Sequence, residues 1–223
     1  MIGTLSMVAT PIGNLGDISQ RALDVLESVD VILCEDTRVT RKLLQHYEID
    51  TQCMSYHQHS DDKKVREIAE LLKQGKNMAL VSDAGTPGIS DPGNRLIADL
   101  SQMMPELQVF GIPGASAMTV ALSVSGFPTD KFTFMGFIPH KNKRKKFLEE
   151  VRESKYTSCF FESCHRIEKC IKEMKEIFEG EREVVICREL TKKFETTYRG
   201  SITDIAAMDI PTKGEFVVVV RAK

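Results

Sequence analysis

Short apolar runs alternate with amphipathic stretches along most of this chain, which is the pattern of an α/β architecture. Leu5 to Thr10 is predicted as a strand, Ser19 to Ser28 as a helix, Val29 to Cys34 as a strand and Thr37 to His46 as a helix. From Asp61 to Gln74 the residues Val65, Ile68, Ala69, Leu71 and Leu72 share one helical face, and Gly75 ends that helix before a strand from Asn77 to Val81. A loop follows, then a helix from Asp91 or Pro92 to Met103, a strand from Gln108 to Phe110 and a small-residue helix from Gly114 to Val124. Together these make a first domain, residues 1–125.

The turn-rich segment Gly126-Phe127-Pro128-Thr129-Asp130 interrupts the pattern, which restarts with a strand from Lys131 to Met135. A helix from Asn142 to Glu153, a strand from Tyr156 to Phe161 and a helix from His165 to Phe178 come next. Strands at Glu183 to Cys187, around Thr196 to Arg199 and at Glu215 to Arg221 complete a smaller, mixed α/β sheet over residues 126–223. Two α/β domains joined by a short linker imply a ligand cleft between them.

Composition narrows the function classes. With 223 residues the chain buries a sizeable core without disulfides or metal, and 42% hydrophobic content excludes disorder driven by charge. The balance of 30 Lys+Arg against 32 Asp+Glu gives no global nucleic-acid signal, so any such partner needs a local basic patch. The stretch His140 to Lys146 supplies one: Lys141, Lys143, Arg144, Lys145 and Lys146 are candidate RNA contacts, with Arg38, Arg41 and Lys42 as an extension. A solvated helix face is the competing reading of the same charges. Six scattered cysteines without a CxxC pair, no leader and no apolar run near the roughly 18 residues of a membrane span predict a cytoplasmic, non-membrane protein. Cys159, Cys164, His165 and Cys170 crowd together without regular ligand pairs and read as core thiols rather than a metal site.

Three loops rich in small residues each follow a predicted strand: Thr10 to Asp17, Ser82 to Gly93 and Gly111 to Ala117. They sit at strand carboxyl ends, where open α/β sheets bind ligands. None is a GxGxxG fingerprint and no GxxxxGK[ST] segment is present, so dinucleotide and triphosphate readings lose their support. Glycines allow close approach and prolines stiffen the loops, which suits an adenosine-bearing ligand of modest charge held by backbone groups. In the second half, Arg188-Glu189-Leu190-Thr191-Lys192 and Glu162-Ser163-Cys164-His165-Arg166 each follow a strand and set a carboxylate beside a basic residue. Solvated strand ends are the alternative, and His165 reads as a helix-start residue.

The segments Ala9 to Ile18, Cys34 to Arg38, Leu80 to Gly93, Gly136-Phe137-Ile138-Pro139 and Arg188 to Lys192, in this order, resemble the ribosomal RNA small-subunit methyltransferase I family of the tetrapyrrole methylase superfamily. The resemblance covers nearly the whole chain. It implies a homodimer of two α/β domains and S-adenosylmethionine-dependent 2′-O-methylation of a cytidine in 16S ribosomal RNA near the decoding centre. It places the cofactor against Pro11, Ile12, Gly85, Thr86, Ile89, Ser90, Pro113, Gly114, Ala115 and Ser116, and from the second domain against Phe161, Glu189 to Leu190 and Lys213-Gly214. Cys164 and Ala115 stand where the family commonly has proline, and many members continue past the last strand into a helical extension, whereas this chain stops at Lys223.

Transfer from a sulfonium is a direct displacement in which positioning supplies much of the acceleration and a base assists. The candidate catalytic residues are Glu189, with Lys192 and Arg188 orienting it, and Asp83 or Asp91 from the glycine-rich loop. Two competing readings are a precorrin-type C-methyltransferase and a non-enzymatic RNA-binding module using Lys141 to Lys146. The Glu35 to Arg38 and Arg188 to Lys192 segments argue against the first, and the three cofactor-like loops against the second.

Overall fold

The apolar runs of the first half form one parallel sheet in the computed structural model, which describes every residue except 59, 179 and 180. Its strands are β1 (Leu5–Val8), β2 (Val31–Cys34), β3 (Gln52–Ser55), β4 (Met78–Leu80) and β5 (Val109–Ile112), in the order β3-β2-β4-β1-β5. Helices α1 (Gln20–Ser28), α2 (Thr37–His46), α3 (Asp62–Lys73) and α4 (Asn94–Met103) connect them. Leu33, Ile68, Leu72, Leu96 and Leu100 form one buried cluster, and Ala22, Leu26, Ile32, Leu44 and Val81 another. Helices thus cover both faces, which is why β2 and β4 read as unbroken apolar runs rather than alternating ones.

Side-chain caps set several helix starts. Ser19, Asp36 and Asp61 accept hydrogen bonds from the amides of Ala22, Arg38 and Lys64. The helix expected from Asp91 or Pro92 instead begins at Asn94, because Gly93 at φ 141 breaks the helical path. Strand β3, which the sequence pattern did not predict, is a four-residue edge strand whose outer positions are polar, too short to show a period.

The second sheet has the order β6-β7-β10-β8-β9, built from β6 (Phe132–Phe137), β7 (Thr157–Ser163), β8 (Glu183–Arg188), β9 (Thr196–Ser201) and β10 (Glu215–Val220). Only β6 and β7 pair in parallel; the other pairings are antiparallel, so the sheet is mixed. Helices α6 (Arg144–Glu153), α7 (Ile167–Ile177) and α8 (Ile202–Ala207) bury Leu148, Val151, Ile167, Met174, Ile202 and Ile205 with Phe160, Phe216 and Val218 of the strands. The unpredicted α8 carries a capping box between Ser201 and Asp204.

The chain divides into the compact units Met1–Ser116 and Ala117–Lys223. Helix α5 (Ala117–Ser125), expected with the first domain, groups with the second because it packs on β10 and β7. All six cysteines are free. Burial pushes the Cys159 thiol up to about 12 and raises that of Cys170 as well, so both act as small core residues. Among the described residues no helix is long and apolar enough to cross a membrane.

Candidate functional site

Strands β4, β1 and β5 are neighbours, so the three small-residue loops leave the sheet side by side. Thr10 N donates to Gly85 O at 2.9 Å and Gly85 N to Thr10 O at 3.1 Å, while Thr10 Oγ1 donates to Ser82 O at 3.1 Å. The Thr86 hydroxyl reaches Ala115 O at 3.4 Å and the Ser19 hydroxyl reaches Pro113 O at 3.3 Å, tying in the third loop. Gly85 takes φ +82, and a β-carbon there would lie 3.4 Å from Ile12 Cγ2. A β-carbon on Gly114 would lie 3.0 Å from Ala9 Cβ, so these glycines serve conformation and close approach respectively.

The expected cofactor residues Pro11, Ile12, Gly85, Thr86, Pro113, Gly114, Ala115 and Ser116 therefore share one cluster of loops. Ile89 and Ser90 lie farther along the Ser82–Gly93 loop, Ile89 exposed and Ser90 at φ 61. No Lys or Arg occurs in any of the three loops, whereas Asp17, Asp83 and Asp91 do. Such a donor set does not suit a polyphosphate. Bare backbone at Pro113 and Gly114, the apolar Ile12 and Ile89, and nearby carboxylates fit an adenosine group carrying a cationic sulfonium.

Beside these loops, at the carboxyl ends of β2, β3 and β4, lies an open groove of about 590 Å³ lined by Glu35, Asp36, Arg38, Ser55, His57 and Asp83 among others. Asp83 is exposed, and its Oδ1 accepts from the Asp36 amide at 3.3 Å. Arg38 grips the Asp36 carboxylate through Nε at 3.0 Å and Nη2 at 2.6 Å, which with the Arg38 amide holds it at about 2. Asp91 behaves oppositely. Burial pushes it up to about 6, with the charges of Glu35 and Asp83 adding to the rise and the Ser82 side chain opposing it. Of the two loop aspartates proposed as bases, Asp91 is the one whose surroundings raise its proton affinity. Ser55, His57 and Gln58 escaped the sequence reading because β3, which delivers them, gave no periodic signal.

In the second unit Glu189, at φ 53, follows β8. Its Oε1 accepts from Lys192 Nζ and from the Glu215 amide, each at 3.0 Å, and Lys192 Nζ also reaches Glu215 Oε2 at 2.8 Å. Burial is the largest influence on Glu189 and raises its pKa, but Lys192 and the Glu215 amide outweigh it, and the net shift is downward. Lys192 is raised in turn: burial opposes the shift, and Glu215 and Glu189 overcome it. The two expected catalytic residues thus engage each other as a loop brace, and the lowered carboxylate is a weakened base. Gly214 is needed beneath it, since a β-carbon there would stand 2.6 Å from Glu189 Cγ. Leu190 is buried, and Phe161 is half-buried between Phe134 and Phe137.

One expected RNA contact is corrected. Arg144 is 3% exposed: Nη1 donates to Glu162 Oε2 at 3.0 Å and to Pro139 O at 3.1 Å, and Nε to Glu173 Oε2 at 2.8 Å. Glu162 also pairs with Arg166 at 2.9 Å. The helical period explains the inward turn, because Arg144 shares the buried face of α6 with Leu148 and Val151. Lys141, Lys143, Lys145 and Lys146 remain exposed, as do Arg38 and Arg41 of the first unit.

The family model for Tetrapyrrole (Corrin/Porphyrin) Methylases matches residues 4–206. A curated relative from Vibrio cholerae named Ribosomal RNA small subunit methyltransferase I is 49% identical over 222 residues, covering 97% of this chain and 76% of its own length. The relative of that name from Thermotoga maritima is 42% identical over 224 residues and is matched over 100% of both chains. The crystal structure of the methyltransferase CobJ has the same fold, with a TM-score of 0.70 at 17% identity, covering 99% of this chain and 94% of that one. This chain belongs to the tetrapyrrole methylases and, within them, to the ribosomal RNA small subunit methyltransferase I family.

Proposed function

We propose that this methyltransferase uses S-adenosylmethionine to methylate the 2′-oxygen of a cytidine in 16S ribosomal RNA near the decoding centre, acting in the cytoplasm as a homodimer. The observation that carries the reading is the cation-free cluster of loops in a chain 42–49% identical to relatives named for small-subunit ribosomal RNA. Pro11, Ile12, Gly85, Thr86, Ile89, Ser90 and Pro113 to Ser116 are the residues that would hold the cofactor in the first unit. Phe161, Leu190 and Gly214 are assigned to it by the resemblance alone.

When bound, S-adenosylmethionine would supply a methyl carbon whose bond to sulfur breaks as the bond to the ribose oxygen forms, the sulfonium leaving as a neutral thioether. The chain's task is to orient that oxygen, exclude competing nucleophiles and take its proton. Asp91 is assigned the proton: its carboxylate, lifted to about 6, is ionised at neutral pH yet more basic than a free aspartate. Asp83 adds negative charge nearby, and the Glu189–Lys192 pair shapes its own loop. Lys141, Lys143, Lys145 and Lys146 attract phosphates.

Incubation with methyl-labelled cofactor and either small ribosomal subunits, naked 16S RNA or a precorrin tests this reading. Label in 2′-O-methylcytidine of 16S RNA supports it, and the two RNA arms identify the accepted form. Label in the precorrin, or in none of the three, contradicts it.

A further inference from the structure

Phe134 and Phe137 lie three residues apart on edge strand β6, so regular alternation would send them to opposite faces of the sheet. They do not diverge. Phe134 pairs with Cys159 and Phe137 with Phe161, so three steps along β6 match two along β7, and the extra residue is a bulge. Gly136 within it adopts φ 65, a conformation costly for any other residue. As a result both rings meet Phe161 edge-on, at 5.0 Å for Phe134 and 5.2 Å for Phe137. Alternation turns Phe161 away from the core that buries its neighbour Phe160. Phe137 is left 56% exposed, braced from behind by an aromatic neighbour.

The chain beyond this ring is fixed and cationic. Arg166 Nη1 holds Ile138 O at 3.2 Å, and Arg144 Nη1 holds Pro139 O at 3.1 Å, both guanidinium groups being anchored on Glu162. The segment then exposes Lys141, Lys143, Lys145 and Lys146. Lys141 is four steps along the chain from Phe137, which limits the distance between their α-carbons to about 14 Å. A rigid, exposed ring beside a row of lysines matches an unstacked nucleobase and its flanking phosphates.

We infer that the end of β6 and the loop into α6 form a platform for single-stranded RNA, with Phe137 stacking on one base and the lysines on the adjoining backbone. This rests on the proposed RNA substrate and adds a residue that reads base exposure rather than charge. Charge complementarity favours RNA over a second copy of this chain as the occupant.

The test is binding of a short fluorescent single-stranded RNA and of its duplex form to the full chain. Phe137→Leu should weaken single-strand binding about tenfold, leave the duplex unaffected and keep the salt slope, while Phe137→Trp restores affinity. Lys145→Glu should flatten the slope instead. Unchanged single-strand affinity in Phe137→Leu overturns the platform. So does a change in association state on sedimentation, which would assign the ring to a contact between copies. Labelling of small subunits by the wild-type chain separates the two levels. Wild-type labelling with Phe137→Leu binding unchanged defeats only the platform, whereas no wild-type labelling in 16S RNA defeats the substrate reading itself.

Discussion

Thr10 and Gly85 exchange both of their backbone hydrogen bonds, at 2.9 and 3.1 Å, so the loops after β1 and β4 behave as one piece. Gly85 can do this because φ +82 costs it nothing. Gly85→Val should strain the loop by about 1–3 kcal/mol and crowd Ile12. Calorimetry should find S-adenosylmethionine affinity at least about tenfold weaker with the second sheet intact by circular dichroism.

Asp91→Asn should lower single-turnover methylation by about a hundredfold, the scale of general-base assistance, with cofactor affinity little changed. Wild-type turnover should rise with pH through about 6. The stability sign follows from the same shift. A carboxyl whose folded pKa is raised favours folding while protonated, so its contribution is full below its unfolded pKa and is lost as pH rises through about 6. Asp91→Asn should therefore melt above the wild type at pH 7.5, with the gap closing as pH falls towards 4. An activity profile flat from pH 5 to 8 would remove Asp91 from the proton-transfer step.

Glu189→Gln is expected to act on stability more than on chemistry. The folded carboxylate is lowered, so its stabilisation is present above its unfolded pKa and lost as pH falls through the folded value. The variant should melt lower at pH 7 and lose less than the wild type on acidification, with turnover within a few-fold. A large loss of turnover at unchanged melting temperature would return Glu189 to the role of base.

Arg144→Met should destabilise the second unit by about 1–3 kcal/mol, because it leaves Oε2 of the buried Glu162 without its guanidinium donor while Arg166 still holds Oε1. Lys145→Glu should leave the melting temperature within about a degree, since that side chain is exposed and pairs only loosely with Glu149 at 3.9 Å. Equal melting shifts in the two variants would show that the basic run is one surface patch after all.

Local signals in the chain were legible where local physics decides. Ser19, Asp36 and Asp61 announce helix starts as caps, and the glycine and proline of the three loops announce backbone-lined turns. Arg144 belongs to the basic run by composition, but its i, i+4, i+7 relation to Leu148 and Val151 turns it inward. The proton affinity of Asp91 depends first on its burial and then on Glu35, brought to it by a different strand, and no spacing along the chain encodes either. The bulge at Gly136 is likewise a property of pairing with β7, visible only once the register is known.

The most direct measurement maps 2′-O-methyl groups along 16S RNA from cells with and without this protein. The proposed activity requires that one cytidine near the decoding centre lose its 2′-O-methyl group when the protein is absent and regain it when the wild-type chain is restored. An unchanged methylation map in cells lacking the protein would contradict the assignment.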